Sequence, residues 1–197
     1  MVPGLKENMA TSSHQSTGTE NLKHLTEEET LFRDSVRQFA REAITPLVRE
    51  MDEHQKMDAS LVRQLFALGL MGIEIPEAYG GSSGTFFESI LAVEEISTVD
   101  PSVGVLVDVQ NTLVVSALLR WATEEQKQRY LPRMATEWVG AYALSEAASG
   151  SDAFALQTRA EKIDDHYILN GQKLWVSNAL EADLFLVFAT TNPAAGY

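Results

Sequence analysis

The chain has 197 residues, 45% hydrophobic and 22% charged, a balance that builds a buried core and excludes a wholly low-complexity polymer. A formal net charge of −13 argues against a nucleic-acid binder, which needs clustered Lys and Arg, and against docking on an anionic membrane surface. Cysteine is absent, which excludes disulfides and thiolate zinc sites, and the four histidines (His14, His24, His54, His166) lack metal-ligand spacing, so no metal site is expected.

In chain order, residues 1–24 are rich in Ser, Thr, Asn and Gln without aromatics and read as a disordered segment. They carry neither the Arg-rich pattern of a transit peptide nor an apolar signal core, so a bacterial cytoplasmic protein is the simplest reading. A helical domain is expected over 25–139. Thr26 and Glu29 have capping-box spacing and open a helix to about Glu50, with Phe32, Val36, Phe39 and Ala43 on one stripe until Pro46 ends or kinks it. A second helix starts near Ala59, turns Leu61, Leu65, Phe66 and Leu68 inward and stops at Gly69. Pro and Gly make the following LMGIEIPEAYGGSSG a loop. A third helix carries Phe86, Ile90, Val93 and Ile96 inward, among Glu88, Glu94 and Glu95. Asp100-Pro101 breaks it and starts a fourth, from Val103 to about Arg120, apolar nearly all round and therefore central. Thr123 with Gln126 caps a short fifth helix through Tyr130.

Near Gly140 the pattern changes to strands, and 140–197 reads as part of a β domain. Tyr167-Ile168-Leu169, Asn170-Gly171 and Leu174-Trp175-Val176 form a hairpin pattern, because Asn-Gly suits a type I′ turn. Leu184–Ala189 reads as a buried strand. LFLVFA, the longest apolar stretch in this reading, is too short to cross a bilayer, so no membrane span is expected. About four strands are fewer than a closed barrel uses, so the chain reads as truncated.

Most polar features have plain structural readings. Carboxylate pairs such as Glu27 with Glu29, or Glu94-Glu95, fit solvated helix faces better than acid–base catalysis. Gly80–Gly84 lacks the Lys, spacing and preceding strand of a phosphate-binding loop and reads as an inter-helix connection. Tyr142–Asp152 differs. A strand runs into SEAASGSD, which offers backbone amides and the hydroxyls of Ser145, Ser149 and Ser151 to an anionic or heterocyclic ligand with little side-chain bulk in the way. On composition alone both ligand loop and ordinary surface loop remain open. Trp175 on a strand is core unless it faces a cleft, where its indole can stack on a ring.

ALSEAASGSDAFA at Ala143–Ala155 resembles the acyl-CoA dehydrogenase pattern of Leu, Ser/Thr, Glu, two free positions, a small residue, then Gly-Ser-Asp. PEAYGG at Pro76–Gly81, TEEQKQRYLP at Thr123–Pro132 and NGQKLWVSNA at Asn170–Ala179 resemble further stretches of that family in the right order. The wording around GLMGIEIPEAYGG, VQNTL and LFLVFATTNPAAGY looks closest to its short/branched-chain branch. Ala148 and Ala122 depart from the family pattern, which usually has Gly at both positions.

The resemblance implies an α+β chain: an all-helical N-terminal domain, then the first part of an antiparallel β-barrel domain, with the C-terminal helical domain absent. It implies FAD as cofactor, held by Tyr142, Ala143, Leu144, Ser145, Gly150 and Ser151 and by Trp175, Val176 and Ser177. Leu144 and Ser145 would lie along the isoalloxazine, Trp175 would pack beside it and Ser177 would sit near N5. Ser151 and Tyr197 would border the acyl-CoA. The implied reaction is α,β-dehydrogenation of a short or branched acyl-CoA to a trans-2-enoyl-CoA, in fatty-acid or branched-chain amino-acid breakdown. Its electrons would pass to an electron-transfer flavoprotein. The catalytic carboxylate would lie beyond Tyr197, so no catalytic residue is named. The full-length protein would be a homotetramer, and a eukaryotic member would sit in the mitochondrial matrix. The competing reading is a non-catalytic flavin- or acyl-CoA-binding piece or scaffold.

Overall fold

A computed structural model describes residues 24–195, so Tyr197 and all but the last residue of the expected disordered segment lie outside the described residues. Helix α1 (Glu27–Phe39) opens with the expected capping box: the Glu29 amide donates to Thr26 Oγ1 at 3.1 Å and the Thr26 amide to Glu29 Oε2 at 2.8 Å. It continues into a π-helical turn, Ala40–Ile44, whose wider winding turns Ala40 and Ile44 into the core and leaves Ala43 only half-buried. The chain breaks around Pro46 and resumes as α2 (Val48–His54). Helix α3 (Ala59–Ala67) buries Leu61 and Leu65, whereas Leu68, expected inward, is exposed at the helix end before Gly69 at φ +72°.

The connection Gly69–Gly84 is a self-bonded loop. The amides of Gly81, Ser82, Ser83 and Gly84 donate to the carbonyls of Pro76, Gly72, Ile75 and Ile73. A phosphate would find those four donors taken, which favours the plain-loop reading. A side chain at Gly81 would place its Cβ 2.1 Å from the Ile75 carbonyl oxygen.

Helix α4 (Phe86–Ser97) corrects the expected stripe. Leu91, Ala92 and Ile96 face inward, with Phe86 and Ile90 exposed. The rotation brings Glu95 into the core, where Arg37 of α1 grips it through Nε and Nη2 at 2.8 and 2.6 Å. A buried carboxylate is tolerable only with such a bidentate partner.

Asp100 caps the central helix, its Oδ1 accepting from the amides of Ser102 and Val103. The helix runs as α5 (Pro101–Asp108), a π-helical stretch (Val109–Val115) and α6 (Ser116–Trp121). At 21 residues and mean hydropathy 1.6 it is long and apolar enough to cross a membrane, a feature the stretch-by-stretch reading missed. In this fold 56% of its apolar window is buried inside the protein, as the all-round pattern predicts for a core helix. Helix α7 (Glu124–Thr136) has the expected Thr123–Gln126 box but passes Tyr130 and Pro132, because Leu131, Met134 and Ala135 are buried and hold its last turns. Ala122 is extended at φ −72°, so no glycine is required there.

Four strands follow: β1 (Gly140–Ala143), β2 (Arg159–Ile163), β3 (His166–Asn170) and β4 (Leu184–Val187). β2 and β3 pair antiparallel, from Arg159 with Asn170 to Ile163 with His166. β1 and β4 pair parallel, Gly140 with Leu184 through Ala143 with Val187. No antiparallel barrel forms among the described residues; they hold two two-stranded sheets, one of them parallel.

The hairpin also differs from expectation. Its turn is Asp164-Asp165, with Asp164 at φ +51°, one strand earlier than Asn170-Gly171. Residues 171–176 are irregular, since the Leu174 amide is drawn to the Ser145 carbonyl at 2.9 Å instead of a strand partner. Nor is the run at Leu184 fully buried: β4 alternates, leaving Phe185 and Val187 exposed.

Candidate cofactor-binding site

The loop after β1 is built around Glu146. Glu146 and Ser149 exchange backbone hydrogen bonds (2.8 and 3.1 Å), closing a turn over Ala147-Ala148. Ala148 has no positive φ and is exposed, so its methyl fits where the resemblance leads one to expect Gly. The Glu146 carboxylate accepts from the amides of Gln157 (2.6 Å) and Thr158 (3.0 Å) and from Lys173 Nζ (2.6 Å). Burial alone would raise its pKa, yet the Lys173 ammonium and these amides outweigh burial and hold the carboxyl at about 2. Both side chains are nearly enclosed, Lys173 at 10% and Glu146 at 7% exposure.

Lys173 Nζ also donates to the Leu144 carbonyl at 2.9 Å, beside the Leu174–Ser145 bond. The ion pair therefore fastens the Leu144–Ser145 segment to the Leu174–Trp175 segment. These are the two stretches that the sequence assigned to one ligand. Next to the fastening, Trp175 is 91% exposed at φ +57°. An indole held in the open on a left-handed backbone is neither strand nor core. Exposed Gly150 and Ser151 lie on the loop of Glu146, and a Cβ built at Gly150 would meet nothing within 4 Å.

The remaining sequence-assigned residues are spread more widely. Ala143 is buried, so its side chain faces no ligand, and its carbonyl accepts from Phe188. Tyr142 packs on Phe188 at a ring-centre distance of 4.9 Å, burial pushes its phenol pKa up, and it lines an 880 Å³ groove with Trp121, Trp138 and Phe188. Ser177 lines a different cleft of about 1320 Å³ with Val105, Leu106 and Met51. Leu144, Ser145 and Val176 are half-buried. Tyr142 and Ser177 thus line different cavities, while Ser145, Trp175 and Ser151 lie along one fastened pair of loops.

Sequence reasoning missed Glu146 and Lys173 as the pair that fastens the two segments. A signal was present: a lone carboxylate and a lone ammonium sit inside otherwise uncharged motifs, SEAASGS and NGQKLWVSN. A flavin's requirements, a flat ring surface and a small-residue loop open to an anionic tail, fit Trp175 and Gly150–Ser151 as they stand.

The family profile for the acyl-CoA dehydrogenase N-terminal domain matches residues 26–137, and that for the acyl-CoA dehydrogenase middle domain matches 141–197. The chain is 48% identical over 176 residues to the mitochondrial short/branched chain specific acyl-CoA dehydrogenase of Rattus norvegicus, covering 89% of this chain and 41% of that protein. It superposes on butyryl-CoA dehydrogenase from Megasphaera elsdenii with a TM-score of 0.83 at 34% identity, over 88% of this chain and 47% of that one. A chain solved in work on the electron transferring flavoprotein of Acidaminococcus fermentans gives a TM-score of 0.84 at 38% identity, over 88% of this chain and 46% of that one. The chain spans less than half the length of these relatives. Its helical part and the start of its sheet part both carry the family's patterns, and the chain belongs to the acyl-CoA dehydrogenase family.

Proposed function

We propose that this chain supplies the flavin-facing walls of an FAD-dependent acyl-CoA dehydrogenase acting on short or branched acyl-CoA thioesters. The observation that carries the reading is the buried Glu146–Lys173 pair, which joins the two flavin-assigned segments with Trp175 standing exposed beside them. FAD, when bound, supplies the redox chemistry, accepting a hydride from the substrate's β carbon. The chain's own residues would hold it: Leu144 and Ser145 along the ring, Trp175 stacked on it, Ser177 at its reactive edge, and Gly150–Ser151 at the phosphate side. Ser151, with Tyr197, borders the acyl-CoA. Enclosing the thioester and donating hydrogen bonds to its carbonyl would acidify the α carbon.

The base that removes the α proton is assigned beyond Tyr197, and electrons are assigned to an electron-transfer flavoprotein. A homotetramer and a bacterial cytoplasmic or mitochondrial-matrix setting complete the reading. Division into a helical domain over 25–139 and a β domain from 140 belongs to the same proposal.

Equilibrium dialysis of the 197-residue chain against FAD tests it. Weak but saturable uptake is expected, and Trp175→Ala should loosen it about fivefold, from the ~1 kcal/mol that a stacked ring pair contributes. Equal uptake by both proteins would remove Trp175 from the site. The chain should not dehydrogenate 2-methylbutyryl-CoA with a dye acceptor; turnover would show that the base lies within it.

A further inference from the structure

Two side chains outside the assigned site meet on the backbone of one residue, Gly140 at the head of β1. Its N–H donates to Gln110 Oε1 at 2.7 Å, and its carbonyl accepts from Asn178 Nδ2 at 3.1 Å. Gln110 is fully buried in the π-helical stretch, and its Nε2 donates to the carbonyls of Met134 and Trp138, each at 3.1 Å. Asn178 Nδ2 also reaches the Leu106 carbonyl at 3.2 Å, close to where the central helix passes from α to π winding. Space between them is tight: a Cβ at residue 140 would fall 2.8 Å from Val114 Cγ1 and 2.9 Å from Met134 Cε, so a neighbour would have to shift. The strand head is thus pressed on the helix and held on both sides.

Asn178 stands at φ +65° and Trp175 at φ +57°, so two non-glycine residues in left-handed backbone bracket Val176–Ser177. Such a conformation persists only where surrounding contacts over-determine it. Asn178 has such contacts with the helix, and Lys173–Leu174 secure the other end of the segment. A π-helical turn carrying buried polar side chains is a recurrent device where a helix must serve a site.

We propose that Asn178, tied through Gly140 to Gln110, is a positioning residue that sets the Trp175–Ser177 segment against the central helix at Leu106. Its role toward flavin rests on the function proposed above; its role in holding the segment does not. Asn178→Asp keeps the shape and the tolerance for left-handed backbone but turns a carboxylate oxygen toward two carbonyls. Asn178→Gly keeps the backbone freedom and deletes the bonds.

The test is amide hydrogen exchange of the full 197-residue chain and of both variants, read beside their uptake of FAD. Exchange at residues 174–179 should rise at least about tenfold in both variants, with α1 to α4 unchanged. FAD uptake should weaken in step. Unchanged exchange at 174–179 overturns the proposal. So does exchange that rises equally throughout the chain, which would make Asn178 a general stabiliser, while locally faster exchange with undiminished FAD uptake overturns its role toward flavin. A wild-type chain that takes up no FAD sinks the flavin reading instead. In that case the ¹⁹F NMR spectrum of a 5-fluorotryptophan-labelled chain decides the clamp. A Trp175 resonance that alone shifts in Asn178→Asp supports it, and one that stays with Trp121 and Trp138 overturns it.

Discussion

The helical and strand-bearing parts solve burial differently. Between Thr26 and Val139, apolar side chains such as Leu61, Leu65, Ile96, Val107 and Met134 are wholly enclosed, and α1 to α7 cover one another. In the β2–β3 hairpin every residue except Ala160 is exposed, including Ile163, Tyr167, Ile168 and Leu169. An amphipathic helix finds partners within a few dozen residues, whereas a two-stranded ribbon has two open faces and gains little on its own. The contrast separates residues that hold this chain together from residues that a ligand or further protein can reach.

The largest expected effect breaks that contrast directly. Leu61→Ala should cost about 2–5 kcal/mol in denaturant unfolding, while Ile168→Ala should change stability by no more than about 0.5 kcal/mol. Equal losses would mean that the hairpin shares the helical core. Gly140→Ala, which overpacks the join between the two parts, should cost about 1–3 kcal/mol, seen as a lower midpoint with an unchanged slope.

Acid titration sharpens the comparison next. Glu146 has its folded pKa at about 2, below the ordinary 4.5, so the unfolded chain takes up a proton first as pH falls. Its stabilisation is complete above pH 4.5 and is lost progressively toward pH 2. Glu146→Gln should flatten that part of the stability–pH curve, and a curve of unchanged shape would show that the pair does not couple to folding. The smallest effect belongs to Trp175→Ala: with the indole in solvent, unfolding should shift by under about 0.5 kcal/mol even where FAD uptake falls. A larger loss would place Trp175 in the core after all.

Much of the helical part was legible because its signals are local. The boxes Thr26–Glu29 and Thr123–Gln126 and the Asp100-Pro101 start act within four residues, and all three open helices where expected. A third box, Thr85–Glu88, was equally legible and passed unread. The inward face of α4 was misjudged because Phe86 and Ile90 have the same four-residue spacing as Ala92 and Ile96, and contacts across to α1, the Arg37–Glu95 pair among them, select between them. At the site, the small-residue loop and Trp175 were readable as ligand-facing types. Their fastening was not, because Glu146 and Lys173 lie 27 residues apart and Gln110, Gly140 and Asn178 are joined by bonds spanning 30 and 38.

Sequence alone therefore determined the helix starts, the central buried helix, the change to strands near Gly140 and the family. These depend on local hydrogen bonding, hydrophobic period and ordered motifs. Tertiary structure alone decided that β1 pairs with β4 in parallel, that the hairpin turns at Asp164-Asp165, and that Trp175 stands exposed. Strand pairing and side-chain exposure depend on partners distant in the chain, and no short stretch of sequence carries that information.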